Sequence, residues 1–210
     1  MTTITSNQKE ERLNTISHLV GALFGVLGFY FLLIKNSSKT DYATFSIIVY
    51  SFTFILMFTA SSLYHHVSFA RFRDRLRILD HICIYLLIAG TYTPVTLITL
   101  IEGNGWDIFI YVWSIAAFGT ILKLFFTGKY EFVSLLLYLA MGWLIVLDFQ
   151  NLLERTEEFE ANLLFMGGGF YTIGIIFYAI EKIPYNHFIW HLFVLAGAVS
   201  HWLFIFLDVI

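Results

Sequence analysis

Residues 185–202 read YNHFIWHLFVLAGAVSHW, an apolar run that nevertheless carries three imidazoles, His187, His191 and His201. Continued to residue 209, the run is long enough to cross a bilayer as a helix, which takes about 20 mostly apolar residues. Six more runs of this kind precede it, at residues 16–34, 43–65, 79–100, 106–126, 132–150 and 162–180. They show no strand-like alternation and are too long and too uniformly apolar for barrel strands. Only helices satisfy every backbone group in such a setting. The expected fold is therefore an all-α integral membrane protein, a bundle of seven transmembrane helices ending with the 187–209 span.

The composition agrees. Of 210 residues, 59% are hydrophobic and only 13% charged, where a soluble domain carries about 25% charged residues. Mean hydropathy is +0.77. The connections are short, so residues 1–15 are expected to form a cytoplasmic N-terminal segment and residues 16–210 a single transmembrane domain. Those first fifteen residues, MTTITSNQKEERLNT, are polar and lack the pattern of a secretory signal. The lone cysteine, Cys83, excludes an internal disulfide and a cysteine-rich metal site. The net charge of −3 singles out no partner; membrane lipids are the expected surroundings, and no nucleic-acid partner is.

Orientation follows from the basic residues, which favour the cytoplasmic side. Lys9, Arg12, Arg71, Arg73, Arg75, Arg77, Lys123, Lys129 and Lys182 fall on one side of the seven spans, and only Lys35, Lys39 and Arg155 on the other. Nine against three predicts a cytoplasmic N-terminus and an external C-terminus. The basic stretch FARFRDRLR is expected to anchor the chain at anionic headgroups. Pro94 is expected to kink the third span, and the MGGGF run to let the sixth helix pack closely on its neighbours.

Ionisable residues inside spans are costly and point to function. In this topology His65 ends the second span, Asp80 begins the third, and His187 and His191 begin the seventh, all at the cytoplasmic depth. Residues four apart share a helix face, with Cβ atoms about 5–6 Å apart. His187 and His191 can therefore hold one metal ion, and His65 would complete a three-histidine site. Such a set leaves a fourth position for water, which zinc acidifies to a pKa of about 7. Asp80 is placed to orient that water or accept its proton, and Ser61, one turn before His65, to hydrogen-bond at the site. The alternative is an interhelical hydrogen-bonded histidine pair without metal. His66 points about 100° from His65 on a helix, and His81 can face the loop instead. His18 shares the same depth as a supporting or gating group. His201, about 21 Å beyond His187 at about 1.5 Å per residue, belongs to another part of the bundle.

Five stretches, ERLNTISHLVGALFG, SSLYHH, LDHICIYLLIAGTYTPVTL, GGGFYTIGIIFYAIEKIPY and NHFIWHLFVLAGAVSHW, together resemble the bacterial hemolysin III family. That family is grouped with the progestin and adipoQ receptors and, more distantly, with alkaline ceramidases. The resemblance runs from about Glu11 to the C-terminus. It implies a seven-helix bundle in the bacterial plasma membrane with zinc near the cytoplasmic side. Its polar pattern falls on Ser61, His65, Asp80, His187 and His191, with zinc on the three histidines and the aspartate and serine acting through the bound water.

Three functions are then open. One is a zinc-dependent hydrolase acting on an amide or ester of a membrane lipid, with Asp80 as general base and Ser61 positioning water or stabilising an oxyanion. The second is a non-enzymatic regulator or sensor of membrane lipid homeostasis, with zinc clamping the second and seventh helices. The third is a pore-forming cytolysin, which fits poorly with spans that show no continuous polar face. Zinc is the expected metal; iron, cobalt and nickel accept the same ligands.

Overall fold

A computed structural model describes residues 6–210, so residues 1–5 of the expected N-terminal segment lie outside the described residues. Seven helices are long and apolar enough to cross a membrane: Gln8–Lys35, Ala43–His66, Ala70–Thr99, Gly105–Phe126, Glu131–Arg155, Glu158–Ala179 and Asn186–Val209. There is no strand among the described residues. The expected all-helical membrane architecture is the observed one. An odd number of spans puts the start of the first span, at Gln8, and the end of the seventh, at Val209, at opposite ends of the bundle.

The helices begin and end differently from the apolar runs for readable reasons. The first helix starts at Ser6 and enters the first span without a break. The third starts at Ala70, nine residues before the expected 79, because the basic segment RFRDRLR is itself helical. An apolarity scan passes over such a charged turn. Pro94 has no N–H to give, and from Val95 the third span widens into a π turn to Thr99. The hydroxyls of Thr93 and Thr96 bond back to the carbonyls of Ala89 and Tyr92, each at 2.9 Å. The fifth span is interrupted after Gly142 and resumes as a 3₁₀ turn, Leu144–Asp148, followed by a short α-helix, Phe149–Arg155. Tyr92 staples this interruption: its hydroxyl donates to the Gly142 carbonyl at 2.8 Å and accepts from the Ile145 amide at 3.0 Å.

The packing is uneven along the bundle. In the most apolar stretch of each span, 72% of residues are buried in the third and 56% in the second, against 22% in the fifth and sixth. The dense part is built from Tyr50, Phe54, Met57, Phe58 and Tyr85, all essentially inaccessible. Gly90 lets the third span press its backbone against Thr53 of the second; a Cβ there would collide with that side chain. In the looser half the MGGGF run corrects the sequence reading. Only Gly167 packs closely, beneath the His201 ring and the Gly197 carbonyl, whereas a Cβ on Gly168 or Gly169 would meet nothing within 4 Å. Two of the three glycines are therefore not packing glycines at all.

The charged residues sort to the two ends. At the end that carries most of the basic residues, Lys123 is fully buried and paired with Glu131 at 2.6 Å. At the far end, Lys35 and Lys39 reach the last carbonyls of the seventh span, Lys35 at Phe206 and Lys39 at Asp208, the latter at 2.6 Å. Cations at a helix C-terminus satisfy open carbonyls and the helix dipole together.

Candidate metal centre

The seventh span starts at Asn186, just after Tyr185 in a left-handed turn, and presents His187 and His191 on successive turns of one face. The last turn of the second span brings His65 against them. The three rings stand 4.8–5.0 Å apart, centroid to centroid. One ligand atom from each lies within 4.8 Å of the others, close enough to hold a metal ion, and this is the one such cluster among the described residues. His65 and His191 are buried and His187 partly so.

The nitrogen partners fit a metal. His65 Nδ1 is 2.7 Å from Glu11 Oε2, whose carboxylate is engaged through Oε1 by Arg73. The other ring nitrogen, Nε2, is buried with no hydrogen-bond partner among the described residues. A carboxylate holding the outer nitrogen fixes the ring and leaves the inner one free to bind metal, the usual arrangement around a histidine ligand. Ser17 Oγ lies 3.4 Å from His191 Nδ1. The ring of His18 stacks on His191 at 3.6 Å between centroids, nearly parallel.

Asp80 and Ser61 face the same chamber as the histidines. The Ser61 hydroxyl is a hydrogen-bonding neighbour of Asp80, and His65 and His81 lie within its electrostatic reach. The remaining histidines separate cleanly. His66 is exposed on the other side of its helix. His81 turns its Nδ1 back to the Arg77 carbonyl at 2.7 Å. His201 donates from Nε2 to the Leu164 carbonyl at 3.1 Å and takes no part in the cluster.

Glu11, Asn14 and Ser17 carry no assigned role in the sequence reading, yet they surround the centre. Asn14 Nδ2 stands 3.5 Å from His65 Nδ1. Their signal was a helical one: positions 11, 14 and 17 recur at intervals of three, with His18 four beyond Asn14, the spacing of a single helix face, within a segment too polar to register as membrane. Arg73 likewise does more than anchor a loop. It holds Glu11 and lies over the Tyr64 ring at 5.3 Å.

A cavity of about 760 Å³ opens from this centre. It begins among Glu11, Arg77 and the three histidines and ends against Tyr171 and His201. Apolar side chains of the third, fifth and sixth spans, among them Ile84, Leu87, Leu135 and Ile175, contribute to its wall. Gly142, where the fifth span breaks, and Gly168 also line it and add no side chain to fill it. The volume lies within the usual range for small-molecule sites, about 300–1,000 Å³.

Fold and centre together define a multi-pass membrane protein with a buried three-histidine cluster opening onto a mostly apolar chamber. The chain belongs to the haemolysin-III related family, whose model matches residues 6–202. It is 41% identical over 199 residues to Hemolysin-3 of Bacillus cereus, covering 94% of this chain and 91% of that protein. It is 38% identical over 195 residues to the Hemolysin-3 homolog of Bacillus subtilis (strain 168), covering 91% of each. A more distant likeness, 30% over 164 residues, is to the monocyte to macrophage differentiation factor of Homo sapiens, covering 73% of this chain and 66% of that protein. No solved structure matches the chain significantly.

Proposed function

We propose that the protein is a metal-dependent hydrolase of membrane-lipid amides or esters, resident in the bacterial plasma membrane with its basic end in the cytoplasm. The observation that carries this reading is the meeting of three features in one place: a three-histidine cluster, the Asp80 carboxylate with the Ser61 hydroxyl beside it and His81 Nδ1 at 4.0 Å, and a mostly apolar cavity leading away from them. His65, His187 and His191 would hold the ion, and zinc suits three imidazoles with one open position. When bound, zinc supplies Lewis acidity and an attacking water that is ionised near neutral pH.

The other groups act through this chain alone. Glu11 and Arg73 hold His65 in the ring orientation that turns Nε2 inward. Asp80 accepts the proton released as the attack begins and returns one to the leaving amine or alcohol. Ser61 fixes the carboxylate rotamer by hydrogen bonding. The apolar wall seats the acyl chain and places its carbonyl carbon at the polar end, so that water reaches the reaction only there. Positioning of this kind supplies a large share of catalytic power. Asp80→Ala should retain the metal and lose fatty-acid release from a lipid amide or ester by about 10²-fold or more, in keeping with the loss of a general base. Unchanged turnover in a variant that still carries the metal would remove Asp80 from the chemistry.

One observation also favours a structural role for the ion. The second and seventh spans touch little apart from the histidine cluster, so a shared metal would tie them together. A protein that lost thermal stability on chelation while cleaving no lipid would be such a clamped regulator. The word hemolysin belongs to the names of the Bacillus relatives; a conductance of the purified protein in planar bilayers would be needed to extend it to pore formation here.

A further inference from the structure

The cavity has a second polar end. His201 stands ten residues beyond His191 on the same span, about 15 Å along the helix axis at about 1.5 Å per residue. Its Nε2 faces the Leu164 carbonyl at 3.1 Å, and a carbonyl can only accept, so this nitrogen carries the proton. In the neutral ring Nδ1 is then a bare acceptor. The Nε2–Cδ2 edge lies against Gly167, which turns the Nδ1 edge away from the sixth span. Tyr171 meets the same ring edge-on, with 5.4 Å between centroids, and is held flat on Gly197. Its hydroxyl makes no hydrogen bond among the described residues. Tyr50 neighbours it with a buried hydroxyl that also lacks a partner. Both His201 and Tyr171 line the cavity that begins at the three-histidine cluster.

A chamber built only for a hydrocarbon tail has no use for an open acceptor and an open hydroxyl at its far end. Polar groups left without partners in an apolar surrounding cost free energy, and the native arrangement supplies partners for nearly all of them. We propose that Tyr171 and His201 form a second binding subsite, which takes a hydroxyl on the lipid chain at a distance from the scissile carbonyl. The hydroxyl donates to His201 Nδ1 and accepts from the Tyr171 hydroxyl. This rests on the reading that the cavity holds an acyl chain, and it narrows the substrate class to hydroxylated lipids. The spacing sets the position. Bonds of about 1.52 Å meeting at about 111° advance an extended chain by about 1.25 Å per carbon. A span of about 15 Å therefore corresponds to a hydroxyl near the twelfth carbon.

The test compares stearic acid with 12-hydroxystearic acid, saturated chains that differ by that one hydroxyl. Affinity for the metal-loaded full-length protein in nanodiscs is measured for each, corrected for the acid's own partition into empty nanodiscs. The hydroxylated acid should bind about tenfold more tightly, the gain expected from one or two buried neutral hydrogen bonds. Tyr171→Phe should abolish the advantage, and a thermal unfolding transition matching the wild type's shows that the variant is folded. His201→Gln keeps a donor for the Leu164 carbonyl but loses the ring acceptor, and should reduce the advantage as well. Equal binding of the two acids to the wild type, or an advantage that survives both substitutions, overturns the subsite while the acyl cavity stands. Failure of both acids to bind removes the acyl cavity and the subsite together.

Discussion

The two ends of the cavity are built from the same residue type on the same helix, and they make opposite use of it. At the basic end His187 and His191 converge with His65, and a carboxylate takes the outer nitrogen of His65 while its inner nitrogen is left without a partner. Ten residues on, the far-end histidine is tied by its proton to a backbone carbonyl. One imidazole environment is arranged to give a lone pair to an ion, the other to a neutral hydroxyl. What decides between them is the partner of the second ring nitrogen, not burial, since both ends lie inside the bundle. A carboxylate behind an imidazole adds a charge that raises its basicity toward a cation; the carbonyl beside His201 fixes its tautomer without that charge, and among the described residues no second imidazole stands next to it.

This contrast can be broken by substitution at each end, and the effects should fall in a definite order. His191→Ala removes a ligand and should abolish metal retention through purification. Glu11→Gln keeps a hydrogen-bonding group of the same shape but removes the charge behind His65. It should weaken the metal by about 10–100-fold, the range for losing such a supporting carboxylate, as measured by competition with a chromophoric chelator. Glu11→Asp should restore part of the affinity, which a merely structural contact would not require. His201→Ala should leave metal affinity untouched and lower stability by about 1–3 kcal/mol through the lost hydrogen bond to Leu164, read from thermal unfolding. A metal defect in the His201 variant as large as that of Glu11→Gln would erase the difference between the two ends.

Most of the architecture was legible in the chain, because a bilayer leaves the backbone few choices. Seven apolar runs became seven spans, and the four-residue spacing of His187 and His191 placed them on one face. The departures share a cause: each depends on groups brought from elsewhere. The third helix begins at Ala70 because a basic segment folds against Glu11 and Tyr64, which no scan of apolarity shows. The break at Gly142 is held by Tyr92, fifty residues away in sequence. Gly168 and Gly169 looked like packing glycines because small residues usually mark close helices, yet a Cβ on either would meet nothing within 4 Å, and Gly168 faces the cavity. Glu11 sat in plain view but reads as one acid among polar residues until the second span puts His65 beside it.

The central claim is that the cluster of His65, His187 and His191 holds a metal ion. Elemental analysis of the purified full-length protein, alongside His191→Ala prepared in the same way, tests it most directly. The account predicts about one zinc per chain in the wild type, from the single three-histidine set, and none above background in the variant. No metal in either preparation, or equal metal in both, would contradict it.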